Sequence, residues 1–299
     1  MVVGSAVVGL LVGLTGAGGG ALMTPMLVLL FSVKASAAIT SDLVAAVAMR
    51  PFGAVVHLRR GSVNLRLVRW MAVGSVPGAF LGSWLLHQLD GGSSATAVVQ
   101  RALGAALLLG AAAMLVRYVL DRRSGNARAG TLAATAVRPA TTAAIGALGG
   151  LVVGLTSVGS GSLLIVLLMF VYPNLSARSL VGTDLVQAVP LAAAAALGAL
   201  AFGHVEFPVT AAIIVGSVPA VLIGSLLSSR VDDRWLRPAI FCVVVASGLK
   251  YAGFTPTEVI SVAAVVVVAA VADLGLSRRG RRLNSSTQMT ALRAEAPSR

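Results

Sequence analysis

The sequence holds a single cysteine, Cys242, inside an apolar run, so no intramolecular disulfide can form and a disulfide scaffold is excluded. Charge is also scarce. Only 11% of the 299 residues are charged, whereas a soluble domain carries roughly 25%. Acids are the rarer sign, with 10 Asp and Glu against 23 Lys and Arg and a net charge of +13. The three histidines, His57, His87 and His204, share no metal-ligand spacing. With one cysteine beside them, neither a metal nor a cofactor is expected. No nucleophile–base pair is readable, which argues against an enzyme. Apolar residues abound instead, at 57% of the chain, and the mean hydropathy is +0.93. The basic excess sits in short loops and in the tail, not on one contiguous surface. That distribution reads as membrane orientation and excludes a nucleic-acid partner.

A bilayer core is crossed by about 20 apolar residues of helix. By that length the chain divides into segments near 1–31, 36–58, 67–86, 97–117, 141–172, 180–202, 207–228, 238–252 and 256–275. The opening MVVGSAVVGLL has no basic n-region and reads as a membrane segment, not a cleaved signal. The expected organisation is a first repeat over 1–118, a polar loop over 119–140 and a second repeat over 141–252. An additional C-terminal helix over 253–276 and a basic, disordered tail over 277–299 follow.

The halves repeat. Gly13-Leu14-Thr15-Gly16-Ala17-Gly18-Gly19-Gly20 aligns with Gly154-Leu155-Thr156-Ser157-Val158-Gly159-Ser160-Gly161. Ser41-Asp42-Leu43-Val44 aligns with Thr183-Asp184-Leu185-Val186, and Gly61-Ser62-Val63-Asn64 with Gly203-His204-Val205-Glu206. Gly74-Ser75-Val76-Pro77 aligns with Gly216-Ser217-Val218-Pro219. Internal repeats of this kind build many secondary transporters. Segments 1–31 and 141–172 are too long for one plain span, and each is interrupted by a Gly-rich stretch that disfavours continuous helix. Each therefore reads as two half-helices.

Positive charge orients the chain. If all nine segments span, the bases divide 10 to 11 between the two sides, which is no bias. If the two broken segments re-enter and leave on one side, 19 bases fall inside and only Lys34 and Lys250 outside. The positive-inside rule favours the second arrangement. Equivalent loops then carry opposite charge, as an inverted repeat requires. The expected fold class is thus an all-α polytopic membrane protein. Two homologous, inverted four-segment repeats each open with a Gly-broken, re-entrant helix, and one C-terminal helix is added.

The Gly-rich turns are candidate anion sites, because half-helix N-termini expose unpaired backbone N–H groups and the positive end of the dipole. Gly16, Gly18, Gly19 and Gly20 of the first turn, and Gly159 and Gly161 of the second, let the backbone approach an anion. Thr15, Thr156, Ser157 and Ser160 add hydroxyls. Arg50, deep in the second segment, costs about 2.5–3.5 kcal/mol if it faces lipid, so it should face a polar interior, as an anion contact or in an internal salt bridge. Asp42 and Asp184 read as helix N-caps or as proton-coupling carboxylates, and Gln187 as a lining residue one turn on. The stripe Gly74, Gly78, Gly82 and its counterpart Gly216, Ala220, Gly224 read as helix packing.

Together GLTGAGGGALMTPMLVLLF, the TSDL stretch, AVVHLRRGSVN, GLTSVGSGSL, YPNLSARSLVGTDLVQAVPL and GSVPAVLIGSLL resemble the sulfite exporter TauE/SafE family over about residues 9–252. The resemblance implies a multi-pass inner-membrane permease that exports sulfite, organosulfonates or related small anions. The expected partners are the lipid bilayer and a small anionic substrate, with homo-oligomerisation left open. The competing functions are an integral membrane enzyme and a non-transporting membrane partner protein.

Overall fold

The computed structural model describes residues 1–15, 19–59, 61, 63–90, 95–124, 137–173, 175–227, 233–262 and 264–265. Among these the chain is helical throughout: α1 (Val2–Thr15), α2 (Gly20–Phe31), α3 (Ala35–Arg59), α4 (Leu65–Asp90), α5 (Ala95–Ser124), α6 (Pro139–Thr156), α7 (Leu163–Val171), α8 (Ala177–Phe202), α9 (Phe207–Leu227) and α10 (Asp233–Ala252). A further helix starts at residue 256, where the Thr255 N–H donates to the Glu258 carboxylate at 2.8 Å in a capping box. Most of the span expected over 256–275, and the tail over 277–299, lie outside the described residues. α3, α5, α6, α8 and α9 contain stretches long and apolar enough to cross a membrane.

Both long N-terminal segments break where glycine clusters. α6 ends at Ser157, which takes a left-handed φ of 59° and donates its N–H to Val153 O at 2.6 Å. Gly159 and Gly161 follow with φ of 111° and 99°, a region that side chains disfavour. α7 then runs back along α6. The Tyr172 hydroxyl lies 2.6 Å from Thr142 Oγ1 and accepts the Arg138 N–H at 2.8 Å, tying the end of α7 to the start of α6. α2 folds back on α1 in the same way: a Cβ on Gly4 would meet Met26 Sδ at 2.9 Å and the Phe31 ring at 3.2 Å. Each segment is therefore a helical hairpin. Pro25 sits in the second turn of α2.

The small-residue stripes bring backbones together. A Cβ on Gly74, Gly78 or Gly82 of α4 would strike the carbonyls of Ala143, Ala147 and Leu151 on α6, and one on Gly154 that of Ala79. The two helices therefore run in the same direction. α1 and α9 lock alike, Gly216 against Val2 O and Gly224 against Leu10 O. By contrast α3 and α8, which hold the aligned Asp motifs, run antiparallel. Thr40 Oγ1 donates to His204 O at 2.7 Å, and Arg50 Nη1 to Ala188 O at 3.1 Å. α5 and α10 are antiparallel too, with Gly104 against Tyr251 and Gly248 against Leu108.

α5 departs from expectation. The sequence ends the span at 117 and places the polar loop over 119–140, yet the helix continues to Ser124 and carries Arg117 within it. Hydropathy falls where Arg117, Arg122 and Arg123 cluster, whereas the backbone stays helical through them to Ser124.

Candidate functional site

The two Gly-rich turns meet. Gly20 opens α2 directly against the Ser157 backbone, and a Cβ there would overlap the Ser157 carbonyl. Beside this junction lies a cavity of about 210 Å³. Its floor is formed by Thr15, Gly19 and Gly20 of the first turn and by Ser160 and Gly161 of the second. Its walls come from α3 (Asp42 to His57), α8 (Val181 to Ala188) and α9 (Val221 and Ser225). His57 and Ser225 lie in the last turns of α3 and α9, and Val181 in the second turn of α8. The cavity thus runs from the turns toward the end of the bundle where α3 joins α4. At the opposite end, α3 and α8 are tied by the Thr40–His204 bond.

Arg50 reaches across from α3 to the Ala188 carbonyl on α8 and stands in this cavity. Its charge acts on both Asp42 and Asp184. Asp42 is 2% exposed; its Oδ2 accepts from Ser157 Oγ at 2.8 Å and from Thr24 Oγ1 at 3.1 Å. It therefore joins α3 to α2 and to the turn of the other half. Asp184 is 1% exposed and accepts the Gly161 backbone N–H, but its Oδ1 has no hydrogen-bond partner among the described residues. The fields of Arg50 and Arg117 both reach it.

Several expected site residues are therefore gathered: Thr15, Gly19, Gly20, Asp42, Arg50, Ser160, Gly161 and Asp184 line one cavity. Gly16 and Gly18 lie outside the described residues. Thr156 turns its hydroxyl onto Val152 O at 2.6 Å, and Ser157 serves Asp42. Gly159 contributes its backbone conformation and does not line the cavity. Gln187 does not line it either: fully buried, it donates to Ser75 Oγ on α4. It sits where α8 packs on α4, since the face of α8 turned to α3 is one side of the helix only.

The capping reading of Asp42 and Asp184 is corrected. α3 starts at Ala35 and α8 at Ala177, so each aspartate lies two turns inside its helix. Ser176 caps α8 instead, accepting the Ser179 N–H at 3.2 Å. Two participants escaped the sequence reading. Thr24 sits among apolar residues and its hydroxyl gives no periodic signal; Arg117 looks like a loop residue until α5 is seen to continue past it. Among the described residues no group of His, Cys, Asp and Glu is arranged to hold a metal ion.

Comparison with known proteins agrees with this architecture. The family model "Sulfite exporter TauE/SafE" matches residues 1–251. The "Probable membrane transporter protein YjnA" of Bacillus subtilis (strain 168) is 39% identical over 244 residues, covering 81% of this chain and 95% of that protein. The "Probable membrane transporter protein YdhB" of the same organism is 27% identical over 249 residues, covering 81% and 94%. No solved structure matches. With five helices of spanning length and a family model covering most of its residues, this multi-pass membrane protein belongs to the sulfite exporter TauE/SafE family.

Proposed function

We propose that the protein is a cell-membrane (inner-membrane) permease for small anions, carrying sulfite, organosulfonates or related sulfur oxyanions outward. The observation that carries this reading is Arg50. A guanidinium held in an intramembrane cavity, beside two converging Gly-rich turns, recognises an oxyanion by bidentate, charge-assisted hydrogen bonds. Backbone N–H groups where helix begins add donors that carry no competing charge. Sulfur enters through the family and not through the cavity, whose groups suit any small oxyanion. The test is stabilisation of the purified protein by ligand. Sulfite, thiosulfate or methanesulfonate at a hundred times its Kd should add about 2.7 kcal/mol, read as a raised unfolding midpoint. Choline, added with the chloride concentration held constant, should add nothing. If no anion of the panel shifts the midpoint, the anion reading fails.

Orientation follows from the charge count joined to the antiparallel crossing of α3 and α8. That crossing supports inverted repeats with the two hairpins re-entrant. The cavity then faces the cytoplasm, the side of the basic α3–α4 junction. Leu65 and Phe207, aligned positions at the starts of α4 and α9, are 57% and 68% exposed. In a Cys242→Ala background, Phe207→Cys should react with an impermeant thiol reagent added outside, and Leu65→Cys only after the membrane is opened. Labelling of both from one side contradicts the inverted arrangement.

A further inference from the structure

The two aligned aspartates stand in unlike surroundings. Asp42 is held by two hydroxyls, Thr24 and Ser157. The position aligned with Ser157 is Gly16, and those aligned with Thr24 are Ile165 and Val166, so Asp184 has neither hydroxyl. Among the described residues it accepts the Gly161 N–H, and its Oδ1 is buried with no hydrogen-bond partner. Arg50 has no counterpart either, its aligned residue being Ala192.

An anion that takes Arg50 as its partner removes the cation whose field Asp184 feels from α3. A buried carboxylate left so is costly, and a proton on its open oxygen removes the charge. The other titratable groups facing Asp184 are few. α3 presents Asp42, Arg50 and His57 to the same cavity, and α5 supplies the field of Arg117. α6 and α7 contain no acid, base or histidine, and on α4 such groups occur only in the first and last two turns. Among the described residues Asp42 and Asp184 offset Arg50 and Arg117, so a monovalent anion entering alone leaves one negative charge in excess.

We propose that Asp184, and not its aligned partner Asp42, is the proton-coupling residue of the permease. It takes one proton from cavity water as the anion settles on Arg50, and proton and anion leave together on the far side. Asp42 is a positioning residue that holds the second turn. This rests on the anion-permease reading. It implies that a monovalent anion crosses without net charge, that flux follows the product of the anion and proton gradients, and that outward transport runs only where the anion's own outward gradient exceeds the proton's inward one.

The test uses the full chain in sealed vesicles. Labelled methanesulfonate, thiosulfate and sulfate are the probes, since each stays ionised near neutral pH and any proton that moves is carried by the protein. Acidifying the outside by one pH unit should raise initial uptake of the best-carried probe by about tenfold, following the proton ratio. Asp184→Asn should lose that stimulation whatever its remaining rate of anion exchange. Folded Asp42→Asn should retain it. For methanesulfonate, an imposed membrane potential of either sign should leave the wild-type rate unchanged, a result that needs no variant. Stimulation that persists in Asp184→Asn, or wild-type uptake that follows the potential and ignores the pH gradient, overturns the inference and leaves the permease reading standing. A wild type that carries neither these anions nor sulfite overturns both.

Discussion

Arg50→Gln is expected to abolish anion flux while the protein still inserts and keeps its helix content. Arg50 is the arginine of the cavity's α3 wall, and its charge acts on two buried carboxylates, Asp42 and Asp184. Truncating one partner of a buried charge pair costs about 2–5 kcal/mol, or roughly thirty- to four-thousandfold in affinity. Glutamine removes the charge and, two bonds shorter, also gives up the tie to the Ala188 carbonyl, so helix content is read beside flux. Arg50→Lys should recover part of the flux, because the charge survives but the planar fork does not. Flux into vesicles and circular dichroism of the same preparation check the pair. Wild-type flux in Arg50→Gln would reduce Arg50 to a clamp between α3 and α8.

Gly20→Ala is expected to be nearly as damaging, by another route. The two turns touch where Gly20 meets the Ser157 backbone, and an added methyl would occupy the position of a carbonyl oxygen. Backbone cannot rotate away as a side chain can, so the hairpins must part. Overpacking of this kind costs typically about 1–3 kcal/mol, and here it also shifts Ser157 away from Asp42. Both the unfolding midpoint and the flux should fall. Gly159→Ala is the contrast: its Cβ would find Val152 no nearer than 3.5 Å, but its φ of 111° strains any side chain. It should lose stability and leave the junction of the turns intact. A Gly20→Ala protein with unchanged midpoint and flux would show that the turns do not abut.

Much of this architecture is legible in the sequence. Glycine clusters mark both hairpin breaks because so many glycines in succession favour a turn over a helix, and the four-residue stripe on α4 marks close packing because only small residues let backbones touch. Arg50 announces itself by the cost of its position. What stays hidden depends on pairing between helices distant in the chain. The Thr24–Asp42 bond spans 18 residues and the Ser157–Asp42 bond 115, and neither leaves a periodic trace. Asp42 and Asp184 look alike in TSDL and GTDL and differ only through neighbours on other helices. Sequence spacing from Asp184 places Gln187 near the cavity, but its rotation about α8 turns it to the face packed on α4. Arg117 was hidden because a span in lipid seems to end at a charge, whereas α5 continues beside the field it shares with Asp184.

On the reading proposed above, small sulfur oxyanions pass through the cavity that Arg50 lines. The most direct test is the initial rate of labelled sulfite, thiosulfate, sulfate and methanesulfonate entry into vesicles holding the purified protein, with protein-free vesicles subtracting passive leak. At least one of these anions should enter well above the leak, saturate with concentration, and be competed by the others but not by choline. Entry indistinguishable from protein-free vesicles for every anion, with the protein shown to be folded and inserted, would contradict the account.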